Sequence, residues 1–224
     1  WLPLREKLQR AVGQKYDTFH GFRFTDAVES SGITFVHQIV DDAGRDYKAV
    51  HYDHGNGVAV ADVDGDGRLD LYFASQIGPN ELWRNVGDGK FESWTKRSGT
   101  AVEDRISVTA SFGDIDNDGD PDLFVTTVRQ GNLLFRNDGD GKFTDITQTA
   151  GVGHVGHSSG AVFFDFDDDG LLDLFVTNVG KYTGEKKGPG GYWIGYADAF
   201  SGHVFPERTE HSLLYRNLGE GKFQ

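Results

Sequence analysis

Short runs of apolar and small residues, each closed by a cluster of Asp, Asn and Gly, alternate along most of the chain. GVAVADV (57–63), VTASFGDI (108–115) and GAVFFDF (160–166) lead into acidic stretches, and LDLYFAS (69–75), DLFVTTV (122–128) and LDLFVTN (172–178) leave them. Their length and their β-branched and aromatic residues predict strands. A third strand is expected over each Leu-aromatic-Arg-Asn segment. The Asn-x-Gly-x-Gly that follows predicts a hairpin, because Gly adopts positive φ at little cost, and a fourth strand is expected from the next Lys-Phe. Residues 1–20 break the pattern: Leu4, Leu8 and Val12 fall at helical spacing and predict a short amphipathic helix.

The pattern repeats. DVDGDGRLD (62–70) returns as DIDNDGDPD (114–122) and DFDDDGLLD (165–173), so the first Asp recurs after 52 and then 51 residues. LWRNVGDGKF (82–91), LLFRNDGDGKF (133–143) and LLYRNLGEGKF (213–223) keep the same register, as do FTDAVESSGI (24–33), FESWTKRSGT (91–100) and FTDITQTAGV (143–152). Four antiparallel strands at this period predict an all-β fold, a β-propeller built of four-stranded blades. Residues 22–223 hold about three repeats, whereas propellers usually close with about four to eight blades. The chain therefore reads as a 1–21 helical or linker segment followed by a partial propeller over 22–224. Residues 24–28 are expected as an outer strand donated to the last blade. The remaining blades are expected in a longer chain or another subunit.

Composition narrows the function classes. Gly is abundant, 31 of 224 residues, but 13% aromatic residues argue for a folded chain with many tight turns rather than disorder. With no Cys, disulfides, thiolate zinc sites and iron–sulfur clusters are excluded. A net charge of −13 disfavours a nucleic-acid partner, which demands a basic surface. No run of eighteen apolar residues is present, so no membrane-spanning helix is expected. The chain starts at Trp1 without a Met and reads as a processed or trimmed product. The three nine-residue acidic loops contain 14 Asp and only Arg68 as a basic residue, so the whole net charge sits in them.

Carboxylates crowded this way repel one another unless a cation neutralises them. Carboxylates at alternate loop positions converge on one point, and a hard cation such as calcium takes six to eight oxygen ligands. Positions 1, 3, 5 and 9 are expected to offer side chains, position 7 a backbone carbonyl, and Gly at position 6 the sharp turn. The first site then uses Asp62, Asp64, Asp66 and Asp70 with the Arg68 carbonyl. The second uses Asp114, Asp116, Asp118 and Asp122 with the Asp120 carbonyl, and the third Asp165, Asp167, Asp169 and Asp173 with the Leu171 carbonyl. An EF-hand is excluded, because its Glu at position 12 is replaced by Phe73, Val125 and Val176 and the flanks are strands. Magnesium, which favours fewer protein ligands and keeps waters, fits less well.

These loops, with Leu-aromatic-Arg-Asn-x-Gly-x-Gly-x-Phe, resemble the FG-GAP/VCBS repeats of integrin-α-like β-propellers. DAFSGHVFPERTEHSLLYRN (198–217) is similar to segments of bacterial members of the cartilage acidic protein family, often joined to an ASPIC/UnbV domain. The resemblance implies a calcium-stabilised propeller of about seven blades, secreted, on the cell surface or periplasmic. This chain holds fewer blades and no ASPIC/UnbV segment. The broad group contains adhesion proteins, lectins and enzymes, so the fold alone leaves function open.

Two further features carry candidate chemistry. From the ninth loop position to the turn Asn takes 15 residues in repeats one and two but 44 in repeat three, an insertion of 29 at about 180–210. It contains Tyr182, Tyr192, Trp193, Tyr196, Phe200 and Phe205, which suit a sugar face, a protein partner or a lid packed on a neighbouring blade. His51-x-x-His54 and His154-x-x-His157 stand at matching distances before Asp62 and Asp165, with Glu103 and Ile106 between them in repeat two. His51, Glu103 and His154 offer a transition-metal or proton-transfer set, or else structural hydrogen bonds. Familiar catalytic motifs (Gly-x-Ser-x-Gly, a Walker loop, His-Glu-x-x-His) are absent. The leading reading is a non-enzymatic calcium-binding scaffold for a protein or glycan partner. The alternatives are a lectin using Tyr192, Trp193 and Tyr196, and a polysaccharide-acting enzyme built around His51 and His154.

Overall fold

Each repeat forms its own sheet because the acidic loops and short turns return successive strands beside one another, with a long insertion before the last strand of the third. The computed structural model describes residues 4–5, 7–8, 23–40, 57–188, 190–196 and 205–224. β1 (Val58–Ala61), β2 (Asp70–Phe73), β3 (Glu81–Gly87) and β4 (Lys90–Ser93) form one four-stranded antiparallel sheet in chain order. β5 (Ser107–Gly113), β6 (Asp122–Thr127), β7 (Leu133–Asn137) and β8 (Phe143–Asp145) form the second. In the third, β9 (Ser158–Phe164), β10 (Asp173–Asn178) and β13 (Leu213–Tyr215) pair, and a single Asn217–Phe223 bridge stands at the place of the fourth strand. The insertion between β10 and β13 folds into a separate hairpin, β11 (Thr183–Lys187) and β12 (Trp193–Gly195), followed by a 3₁₀ turn at Pro206–Arg208.

One expectation changes here. Residues 24–27 carry no strand, and a one-turn helix, Val28–Ser31, begins where the outer strand was expected to end. The Asp26 side chain accepts the Val28 N–H at 3.0 Å and turns the chain there. Asp145 does the same to Thr147 at 2.9 Å, and helices Thr95–Ser98 and Thr147–Ala150 mark the same point in the next repeats. At the N-terminus, Leu4 and Leu8 are helical and exposed, while Val12 lies outside the described residues.

The three sheets stack face to face, with the second in the middle. Ala59, Ala61, Tyr72 and Leu82 of the first meet Ala110, Leu123, Val125, Leu133 and Phe135 of the second. Phe124 and Leu134, on the second sheet's other face, meet Leu174 and Val176 of the third, joined by Ala161 and Phe163. Because both its faces are covered, β6 is buried at all six positions, whereas β1 alternates exposed and buried. The first strands approach so closely that a Cβ on Gly113 would lie 2.7 Å from the Phe163 ring. Gly113→Val should therefore destabilise the chain by about 1–3 kcal/mol through overpacking, read as a lower denaturation midpoint; an unchanged midpoint would refute the close contact.

Asparagines staple neighbouring sheets at both ends. Asn137 Nδ2 donates to the Val63 carbonyl of the preceding repeat at 3.0 Å, and Asn217 Nδ2 to that of Ile115 at 2.7 Å. At the other end Asn80 Nδ2 donates to Ser107 Oγ of the following sheet at 3.0 Å, and Asn132 Nδ2 to Ser158 Oγ at 2.9 Å. All four amides are buried, so each bond satisfies a group that would otherwise be costly to enclose. The strand order puts the acidic loops and the Asn-x-Gly-x-Gly hairpins at one end of the stack. The insertion and the residues leading into β5 and β9 lie at the opposite end.

Candidate metal centres

Each acidic loop is shaped by its own carboxylates. The position 1 side chain reaches forward: Asp62 accepts the N–H groups of Asp66 (3.1 Å) and Gly67 (2.7 Å), Asp114 those of Asp118 and Gly119, and Asp165 those of Asp169 and Gly170. The position 5 side chain accepts the N–H of position 7: Asp66 that of Arg68, Asp118 that of Asp120 and Asp169 that of Leu171. Two residues per loop are left-handed. Position 6 is Gly throughout, with Gly119 at φ 94°, and position 4 is Gly65, Asn117 (φ 59°) or Asp168 (φ 59°), residue types that tolerate that region. The requirement at position 4 was readable in the alternation of Gly, Asn and Asp there.

Position 9 does more than offer a ligand. Asp70 accepts the N–H of Val63 (3.0 Å) and of Asn85 (2.7 Å), Asp122 those of Ile115 (2.9 Å) and Asn137 (2.8 Å), and Asp173 those of Phe166 (3.0 Å) and Asn217 (2.7 Å). All three carboxylates are fully buried. Each therefore straps the loop's second residue to the turn Asn on the third strand.

The folded loops bring together three groups capable of holding a metal ion: Asp62, Asp64 and Asp66; Asp114, Asp116 and Asp122; Asp165, Asp167 and Asp173. In each group one oxygen per residue lies within 4.8 Å of the others. Asp64 Oδ1 and Asp116 Oδ1, both at position 3, are buried and have no hydrogen-bond partner. A buried carboxylate oxygen without a partner is costly, and a cation at that point removes the cost. The donor set, all hard oxygen, fits an alkaline-earth ion.

Charge crowding is greatest in the second loop. Burial, reinforced by Asp116 and Asp118 and opposed by the two N–H bonds, pushes the Asp122 carboxyl up to about 7 from an ordinary 3.8. Burial and neighbouring carboxylates also raise Asp116 and Asp120. Between these values the metal-free folded state holds a proton that the unfolded chain has released, so stability falls as pH rises from about 4 to about 7. Thermal unfolding in EGTA should show a midpoint that declines from pH 5 to pH 8 and a flatter profile with calcium present. A midpoint that rises over that range in EGTA would contradict the assignment.

The motif arginines respond differently in the three repeats. Arg84 donates to Asp64 Oδ2 and Asp66 Oδ2, both at 2.5 Å, and Arg68 also pairs with Asp66. Arg216 contacts Asp167 at 2.6 Å and Asp169 at 3.1 Å. Arg136 instead binds Asp138, at 2.7 Å, beside the turn Asn of its own hairpin.

At the opposite end the other candidates are distributed rather than gathered. His51 and His54 lie outside the described residues. Glu103 and His154 line different clefts, Glu103 with Lys96, Arg105 and Asp145, and His154 with Gln148 and Tyr215. His157 is buried and bonded at both ring nitrogens, to Glu210 Oε1 (3.1 Å) and Thr183 Oγ1 (2.8 Å), which ties the insertion to β9. Tyr192 and Trp193 pack against Val40, Ile106, Val108 and Val128, with Arg129 and Lys187 each within 5 Å of the Trp193 ring centre. Tyr196 lines an open cleft of about 420 Å³ with Gly184, Glu185 and Ile194, and Arg208 lies 4.1 Å from its ring centre.

An Asp-x-Asp-x-Asp-Gly-x-x-Asp loop repeated three times, twice in a four-stranded sheet and once in a three-stranded one, defines the class. The model of the FG-GAP-like repeat matches residues 62–125 and 114–176, together just over half of the chain, and the chain belongs to this family. Among curated proteins it is 28% identical over 167 residues to Cartilage acidic protein 1 of Homo sapiens, a match covering 69% of this chain and 22% of that protein. The protein of the same name from Xenopus tropicalis is 26% identical over 167 residues, covering 69% and 23%. The chain thus spans less than a quarter of the length of these relatives. Among the described residues no helix is long and apolar enough to cross a membrane.

Proposed function

We propose that residues 22–224 form part of a calcium-binding β-propeller that serves as a protein or glycan interaction scaffold outside the cell. The observation that carries the metal assignment is the buried, unpartnered Oδ1 of Asp64 and Asp116, each set inside a triad of carboxylates. Calcium would be held in the three loops by side chains at positions 1, 3, 5 and 9 and the carbonyls of Arg68, Asp120 and Leu171. When bound it supplies charge neutralisation, while the chain's own Asp62, Asp114 and Asp165 keep the loop backbone in place. Extracellular modules bind calcium at about 10⁻⁴–10⁻³ M, a range suited to sites that are filled outside the cell.

Propeller geometry is supported by the face-to-face stacking and by apolar side chains on both outer faces, Val58 and Val60 on one and Val162 and Phe164 on the other. Further sheets would cover them. The partner surface is proposed at the insertion, around the open cleft that Tyr196 lines with Gly184, Glu185 and Ile194. An enzymatic reading finds less support, since Glu103 and His154 line separate clefts. The test is thermal unfolding in EGTA, then with millimolar calcium, magnesium or zinc added separately. A rise selective for calcium supports the assignment; no rise, or an equal rise with magnesium, overturns it.

A further inference from the structure

Building on the calcium reading, we infer that the three loops are not equivalent and that the motif arginines set their order of filling. Arg84 and Arg216 act as internal counter-cations that calcium has to displace or outweigh, whereas the second loop is left open because Asp138 draws Arg136 away.

The difference starts with one sequence position. The residue after the turn Asn is Val86 in the first repeat, Asp138 in the second and Leu218 in the third. Asp138 accepts from both Nε (3.0 Å) and Nη2 (2.7 Å) of Arg136 and also from Thr144 Oγ1. Val86 and Leu218 offer no such acceptor, and Arg84 and Arg216 turn to the carboxylates at positions 3 and 5 of their own loops. A second contact strengthens the contrast. The guanidinium of Arg84 lies 4.8 Å from the centre of the Trp94 ring, which directs it over the first loop. The matching residue of the second repeat is Ile146, whose side chain offers no such attraction.

Loop charge ranks the sites in the same order. The first loop sets four Asp against Arg68 and Arg84, and the third five Asp against Arg216. The second sets five Asp against no arginine paired with it. Arg136 lies near enough for its charge to act on Asp116 but makes its ion pair with Asp138, so a cation entering the second loop meets the largest uncompensated charge and displaces no ion pair. Entry to the first loop means competing with two arginines for Asp64 and Asp66. The second loop fills first and the first loop last.

Calorimetric titration of the chain with calcium should resolve one ion bound at least tenfold more tightly than the others. Asp138→Val, copying the first repeat, should weaken that tight step about tenfold. Arg84→Met, which keeps an unbranched apolar stem against Trp94, should tighten the weakest step by a similar factor. Melting curves in EGTA confirm that both variants are folded. Three sites of equal affinity, or weaker calcium binding in Arg84→Met, would overturn the ranking while leaving the calcium reading intact. No calcium binding by any form would remove that reading and the ranking with it.

Discussion

Calcium at about 100 times the Kd of the weakest site should stabilise the chain by at least about 8 kcal/mol, since each of the three sites then contributes about 2.7 kcal/mol or more. At about 2–4 °C per kcal/mol for a chain of this size, the thermal midpoint should rise by roughly 15–30 °C over its value in EGTA. The size of the effect follows from what the metal-free loops contain. Fourteen carboxylates occupy three short segments, and two buried oxygens, on Asp64 and Asp116, have no partner. An ion relieves both the repulsion and the unmet acceptors in the folded state alone, because the unfolded chain presents no preformed site. Differential scanning calorimetry against calcium concentration measures this directly, and a midpoint that moves by only a few degrees at saturation would contradict three structural sites.

Asp173→Ala should cost about 2–6 kcal/mol even in EGTA. Its two oxygens accept the backbone N–H groups of Phe166 and Asn217 in a fully buried position, and truncation leaves both donors unsatisfied at about 1–3 kcal/mol each. A residue that served only as a metal ligand would behave oppositely: without metal, its removal would relieve charge repulsion and leave stability unchanged or higher. Chemical denaturation in EGTA separates the two roles. Equal midpoints for the wild type and the variant would show that the position 9 carboxylate is a ligand and nothing more.

Much of the architecture was legible from residues because its signals are local. Period, strand order and turn chemistry all follow from short-range rules: Gly and Asn where φ is positive, β-branched and aromatic runs between them, and the 51–52-residue recurrence of the first Asp. The one-turn helices after β4 and β8 escaped because each is four residues long, too short for hydrophobic periodicity to register. Residues 24–28 misled for a related reason. FTDAV reads like a strand by composition, while the Asp26 side chain turns the backbone at Val28.

The roles of Asn and Arg were decided elsewhere. That Asn137 and Asn217 bond across to the preceding loop, and Asn80 and Asn132 across to the following strand, depends on sheets stacked by burial of Phe124, Leu134 and their neighbours. No spacing in one repeat encodes partners 26 to 102 residues away in a neighbouring sheet. The same holds for the insertion, where the partial packing of Tyr192 and Trp193 against Val40 and Ile106 follows from no spacing in the chain.

By itself the sequence determined the repeat, the strands, the left-handed turns and the clusters of hard oxygen donors, because each is written in side chains a few residues apart. Only the tertiary structure decided which carboxylate straps a loop, which oxygen is buried without a partner, and which arginine leans on which loop. Those outcomes depend on burial and on distances between segments, and burial exists only once the sheets have stacked.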